Sequence, residues 1–124
     1  MEGKGFLCVL VLTLVLLLAG AVYADKSAVS LEGPSTVAKG SEVTIKVTVT
    51  HSANSAMHYT EWLNVTANNK EVAKWTYTGS QRPEAAVFTK EVKIKVTEDT
   101  EIRAEAVCNV HGSKGPGTIK ISVK

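Results

Sequence analysis

Past its first two dozen residues the chain runs in period two. Val43, Ile45, Val47 and Val49 alternate with Thr44, Lys46, Thr48 and Thr50. Val92, Ile94 and Val96 alternate with Glu91, Lys93 and Lys95, and Ile119, Ile121 and Val123 with Thr118, Lys120 and Ser122. Neighbouring side chains on a strand point to opposite faces, so strict alternation predicts strands with one face in a core and one in water. Val, Ile and Thr dominate, as a pleated, half-buried surface favours. Breaks at Gly33-Pro34, Lys39-Gly40, Asn68-Asn69, Gly79 to Pro83, Glu98-Asp99 and Gly112 to Gly117 leave about seven short strands. Asn68-Asn69, between strands expected over 62–67 and 71–77, suits a tight hairpin because Asn tolerates positive φ. No helical stripe persists over three turns.

The expected fold is therefore all-β, an immunoglobulin-like seven-stranded antiparallel β-sandwich over residues 25–124. Trp62 and Trp75 are expected in its core. Lys46, Lys90, Lys93, Lys95 and Lys120 are expected on solvated faces and strand ends, where charge discourages edge-to-edge pairing.

Residues 6–23 break the pattern, for they carry no charge at all. Lys4 precedes an apolar run from Phe6 to Leu18, and Val22-Tyr23-Ala24 supplies small residues at a cleavage point. Residues 1–24 read as a secretory signal peptide cut before Asp25, with an uncleaved anchor as the alternative. The expected location is periplasmic or otherwise extracytoplasmic, with membrane contact only through this segment before cleavage. Cys8 leaves with it. Cys108 then stands alone in the exported domain and cannot make an internal disulfide.

Charge narrows the partners. Fourteen basic and twelve acidic residues give a net charge of +2, too weak a field for a dedicated nucleic-acid binder, and no Arg/Lys cluster interleaves with aromatics. Gly112 to Gly117 precedes a strand and not a helix, so it is no phosphate cradle. Neither paired carboxylates nor a Ser-His-Asp arrangement is credible. Assembly into a homo-oligomer is compatible with the sequence.

All three histidines and the exported cysteine fall in two short windows. His51 and His58 bracket the segment after the second strand, and Cys108-Asn109-Val110-His111-Gly112 follows the strand over 102–107. A soft thiolate beside imidazoles is first-row transition-metal chemistry. Cys-x-x-His is half of a zinc site, and Cys-His₃ would satisfy structural zinc. A blue-copper site also uses His₂Cys, but no Met follows Cys108. On chemistry alone iron, copper and zinc stay open.

His51…His58-Tyr59-Thr60-Glu61-Trp62 resembles the histidine segment of superoxide reductases, and Cys108-Asn109-Val110-His111-Gly112 their Cys-Asn-x-His-Gly loop. With Ala38-Lys39-Gly40-Ser41-Glu42, residues 25–124 resemble the iron-binding domain of desulfoferrodoxin and neelaredoxin. The resemblance implies mononuclear non-haem iron with His51, His58 and His111 equatorial and Cys108 axial. It further implies one-electron reduction of superoxide to hydrogen peroxide, with an external electron-donor protein. Lys26, in the place of the family's lysine, and Lys114 would draw the anion in. The chain departs from the family pattern at two points. Ser27 stands where a fourth histidine is usual, leaving a gap open to water, the Ser27 hydroxyl or the Asp25 α-amine. Six residues separate His51 from His58, and no proline follows His51. The competing expectation is a non-enzymatic copper- or zinc-binding β-sandwich, or an accessory electron-transfer module.

Overall fold

The computed structural model describes residues 26–124. The expected signal peptide, 1–24, and Asp25 lie outside the described residues. Eight strands follow one another: β1 (Ala28–Glu32), β2 (Thr36–Val37), β3 (Ser41–Thr50), β4 (Thr60–Ala67), β5 (Lys70–Thr76), β6 (Val87–Val96), β7 (Thr100–Cys108) and β8 (Gly117–Val123). They form two sheets, one of three strands in the order β1-β3-β6 and one of five in the order β2-β8-β7-β4-β5. There is no helix among the described residues.

The alternation works as its period requires. Val43, Ile45, Val47 and Val49 of β3 and Phe88, Val92 and Val96 of β6 are buried. In the five-stranded sheet the buried face is Leu63, Val65, Ile102, Ala104, Ala106 and Ile121, and all these side chains form one core cluster between the sheets. Burying each Ile, Leu, Val or Phe stabilises the sandwich by about 1.5–3 kcal/mol before entropy is counted. β3 and β6 pair over their whole length, from Ser41 opposite Val96 to Thr50 opposite Val87. Asn68 and Asn69 both take positive φ, 48° and 67°, and close the β4–β5 hairpin.

The structure differs from the sequence expectation in two places. The added strand, β2, is two residues long and pairs parallel to the end of β8; so short a segment carries no alternation to read. Trp62 is not a core aromatic. Leu63 and Val65 face inward, so period two sends Trp62, Asn64 and Thr66 to the outer face. There the Lys74 Nζ lies 5.6 Å from the Trp62 ring centroid, within cation–π range. Trp75 does pack against the core.

Candidate metal centre

Three segments meet at one end of the sandwich. His51 follows β3 directly, and its N–H donates to the Ala86 carbonyl at 3.1 Å, carrying the β3–β6 pairing one step further. The chain then crosses towards the other sheet. Ser55 and His58 exchange two backbone hydrogen bonds, 2.8 and 3.2 Å, closing a tight turn with Ala56 and Met57 at its tip. Two contacts hold this crossing down: Asn54 Nδ2 donates to the Pro83 carbonyl at 2.8 Å, and Gly79 packs so closely that a Cβ there would lie 2.5 Å from the Ala56 oxygen.

Cys108 ends β7. Its N–H donates to the Gly112 carbonyl at 2.9 Å and its carbonyl accepts from Gly112 N–H at 3.1 Å, so 108–112 forms a closed loop. Gly112 takes φ 81°, a left-handed conformation that side chains resist. The loop turns two amides onto the sulfur: Val110 N–H and His111 N–H each donate to Cys108 Sγ at 3.4 Å. Hydrogen bonds of this kind orient the sulfur and temper its electron donation.

The donor atoms of His51, His58 and Cys108 all lie within 4.8 Å of one another. Metal–nitrogen and metal–sulfur lengths of about 2.0–2.3 Å set such donors roughly 3–4.4 Å apart on a common ion, so a modest inward shift of the three side chains would let them share one. His51 and Cys108 are buried, 4% and 2% exposed. The His51 and His58 rings meet edge to face with centroids 4.7 Å apart. His58 Nε2 is buried and has no hydrogen-bond partner, a costly state for a polar atom unless something accepts its lone pair or proton. A buried orphan nitrogen beside a thiol and a second imidazole fits a transition metal. His111 is exposed and stands outside this tight group, at its rim, with its ring centroid 5.3 Å from that of His58.

Ser27 is fully buried. Its Oγ lies 2.8 Å from Thr60 Oγ1, and Thr60 is paired with Cys108 across the β4–β7 ladder. Its N–H donates to the Gly112 carbonyl at 3.3 Å and its carbonyl accepts from Lys114 N–H at 2.8 Å. The segment is thus a strap across the cysteine loop, and the serine hydroxyl is engaged by Thr60. Lys26 and Lys114, both exposed, flank the Ser27–Ser113 bridge. Asp25, with its α-amine, lies outside the described residues.

Sequence reasoning gave Asn109 no role. Its Oδ1 accepts from Tyr59 N–H at 3.0 Å and its Nδ2 donates to the Met57 carbonyl at 3.2 Å. These partners are about fifty positions away in the chain, a distance over which local patterns carry no signal.

The family model described as desulfoferrodoxin matches residues 23–113. Among solved structures the chain is similar to a superoxide reductase (neelaredoxin) from Ignicoccus hospitalis, with 17% identity and a TM-score of 0.60 over 80% of this chain and 82% of that one. A variant superoxide reductase (neelaredoxin) from Archaeoglobus fulgidus in the reduced form is 17% identical, with a TM-score of 0.58 over 82% and 93%. A CARDB domain from Pyrococcus furiosus in complex with di-metal ions is 16% identical, with a TM-score of 0.57 over 81% and 94%. At these identities the likeness is one of fold. No curated protein matches the chain significantly.

Proposed function

This chain belongs to the desulfoferrodoxin family, and from that premise we propose that it is an exported mononuclear non-haem iron protein that reduces superoxide to hydrogen peroxide. The observation that carries the reading is the convergence of His51, His58 and Cys108 donor atoms within 4.8 Å, with the buried His58 Nε2 lacking a hydrogen-bond partner. His51, His58 and His111 would hold the iron through imidazole nitrogen and Cys108 through thiolate sulfur.

When bound, iron supplies a one-electron couple and a position open to an anion. The chain supplies the rest. Cys108 brings negative charge, held towards the site by the Val110 and His111 amides. His111, on the exposed rim, keeps the solvent side accessible. Lys26 and Lys114 raise the local concentration of a small anion. The balance is one superoxide, one electron and two protons for each hydrogen peroxide; the electron comes from an external donor protein and the protons from solvent. Residues 1–24 direct export to the periplasm or another extracytoplasmic space, which the N-terminal mass of protein recovered outside the cytoplasm tests.

The deciding experiment is metal analysis with an EPR spectrum of oxidised protein purified without added metal, followed by a superoxide assay with an electron donor. High-spin ferric iron, one per chain, with one peroxide formed per superoxide consumed is the expected result. One peroxide per two superoxides would mean dismutation, and copper or zinc in place of iron would remove the reading.

One observation favours a second reading. With the Ser27 hydroxyl engaged by Thr60, three imidazoles and one thiolate remain, the donor count of a closed tetrahedral zinc site. A colourless protein holding zinc, inert towards superoxide, is its expected signature.

A further inference from the structure

Asn109 sits where the β4–β7 ladder runs out, for Thr60 and Cys108 are its last pair at this end. One backbone bond continues the pairing, Asn109 N–H to the Tyr59 carbonyl at 3.1 Å. The side chain does the remainder, taking Tyr59 N–H on Oδ1 and giving Nδ2 to the Met57 carbonyl. Met57 and Tyr59 are the two residues that flank His58. His58 itself spends its N–H and C=O on Ser55, so beyond the Thr60–Cys108 pair the bonds to Asn109 tie its turn to the cysteine loop. Asn suits this position chemically: a short carboxamide offers an acceptor and a donor together, whereas Asp lacks the donor and Ala both.

We propose that Asn109 is a positioning residue, whose carboxamide fixes the turn carrying His58 against the loop carrying Cys108 and so holds two metal-donor atoms in register before a metal arrives. Asn109 is exposed, and its bonds add little to global stability because water competes for the same groups. Their effect is local. Outer-shell partners of this kind typically change metal affinity 10–100-fold. The affinity half of this inference rests on the metal reading above, so the test begins with metal-free protein.

In metal-free protein, Asn109→Ala should weaken the NMR contact between the His58 and His111 rings, whose centroids lie 5.3 Å apart across the turn and the cysteine loop. It should also speed hydrogen exchange at Tyr59 N–H by about tenfold or more, as expected when a local bond opens. The thermal midpoint should fall by no more than about 8 °C, the scale of two water-exposed hydrogen bonds. Cobalt(II), titrated as an optical probe of the thiolate, should bind about 10–100-fold more weakly. A variant that keeps both the ring contact and the Tyr59 protection overturns the proposal, as does one that loses both yet binds cobalt as tightly as the parent. If the parent itself takes up neither cobalt nor iron, the metal reading fails alone, and the ring contact and exchange rate still decide the positioning role. Should the alanine variant not fold, Asn109→Asp carries the test. It keeps the acceptor for Tyr59 and loses the donor to Met57, so Tyr59 stays protected while the ring contact weakens; an unchanged contact overturns the proposal.

Discussion

Cys108 is buried and unpaired with any other thiol, yet two backbone amides point at its sulfur. A cysteine kept only for packing has no need of them, whereas a thiolate ligand does. Cys108→Ala should therefore remove any thiolate-to-metal absorption band from the oxidised protein while leaving a folded domain. The two part-buried amides lose their acceptor, so folding stability should fall by about 1–3 kcal/mol. A band that survives the substitution would show that sulfur is not a ligand. Cys108 could be read as a candidate donor because Cys-x-x-His is a local spacing, while His111, read from the same spacing, stands at the rim of the tight group. His51 and His58 were legible as the end of an alternating strand and the loop after it. Asn109 was legible only as a letter of the motif, since its side-chain partners, Met57 and Tyr59, lie about fifty residues away in the chain.

The strands β3, β6 and β8 were equally readable, for each buries alternate residues against one core. Trp62 shows how a residue preference misleads where the period is clear: Leu63 and Val65 fix the inward face, and the tryptophan must follow the pleat outward. The connectors were harder, because their conformation depends on what they touch. Gly79 is the sharpest case, packed on the Ala56 carbonyl behind the His58 turn. Gly79→Ala should push that turn, costing about 1–3 kcal/mol by overpacking and weakening metal binding more than substitutions on the outer sheet face; metal titration beside urea denaturation checks both. The same connector is tethered by Glu84 and Lys90, 2.9 Å apart. A backbone N–H bond and then the Lys90 ammonium hold the Glu84 carboxyl below its ordinary 4.5, while the Glu84 contact raises the Lys90 ammonium above 10.5. The lowered carboxyl stabilises the fold above its unfolded value, and that contribution is lost as pH falls through the folded one. The raised ammonium loses its contribution as pH rises through its own folded value. The pair is thus intact at neutral pH. Since Glu84 is 57% exposed, screening leaves less than about 1 kcal/mol. Glu84→Gln should lower stability by no more than that at pH 7 and by less at pH 3, measured by urea denaturation.

At the scale of the whole molecule the donors divide between the sheets. His51 leaves β3 of the three-stranded sheet, Cys108 ends β7 of the five-stranded sheet, and His58 lies on the crossing between them. A metal held by all three is a bond across the open end of the sandwich, where the apolar core has already given way to loops. The unfolded chain keeps its ligands far apart in sequence and has no comparable site, so binding must stabilise the fold. At free metal about 100-fold above the dissociation constant, that linkage is worth about 2.7 kcal/mol. For a domain of about 100 residues each kcal/mol moves the melting temperature by about 4–8 °C, so chelation should lower it by roughly 10–20 °C. His51→Ala and Cys108→Ala, which remove the anchor from one sheet or the other, should each erase most of the metal-dependent increment. Scanning calorimetry of loaded and chelated protein measures this directly. A chain that binds its metal with an unchanged melting temperature would mean that the ion is held by one sheet alone, and the clasp between them would have to be abandoned.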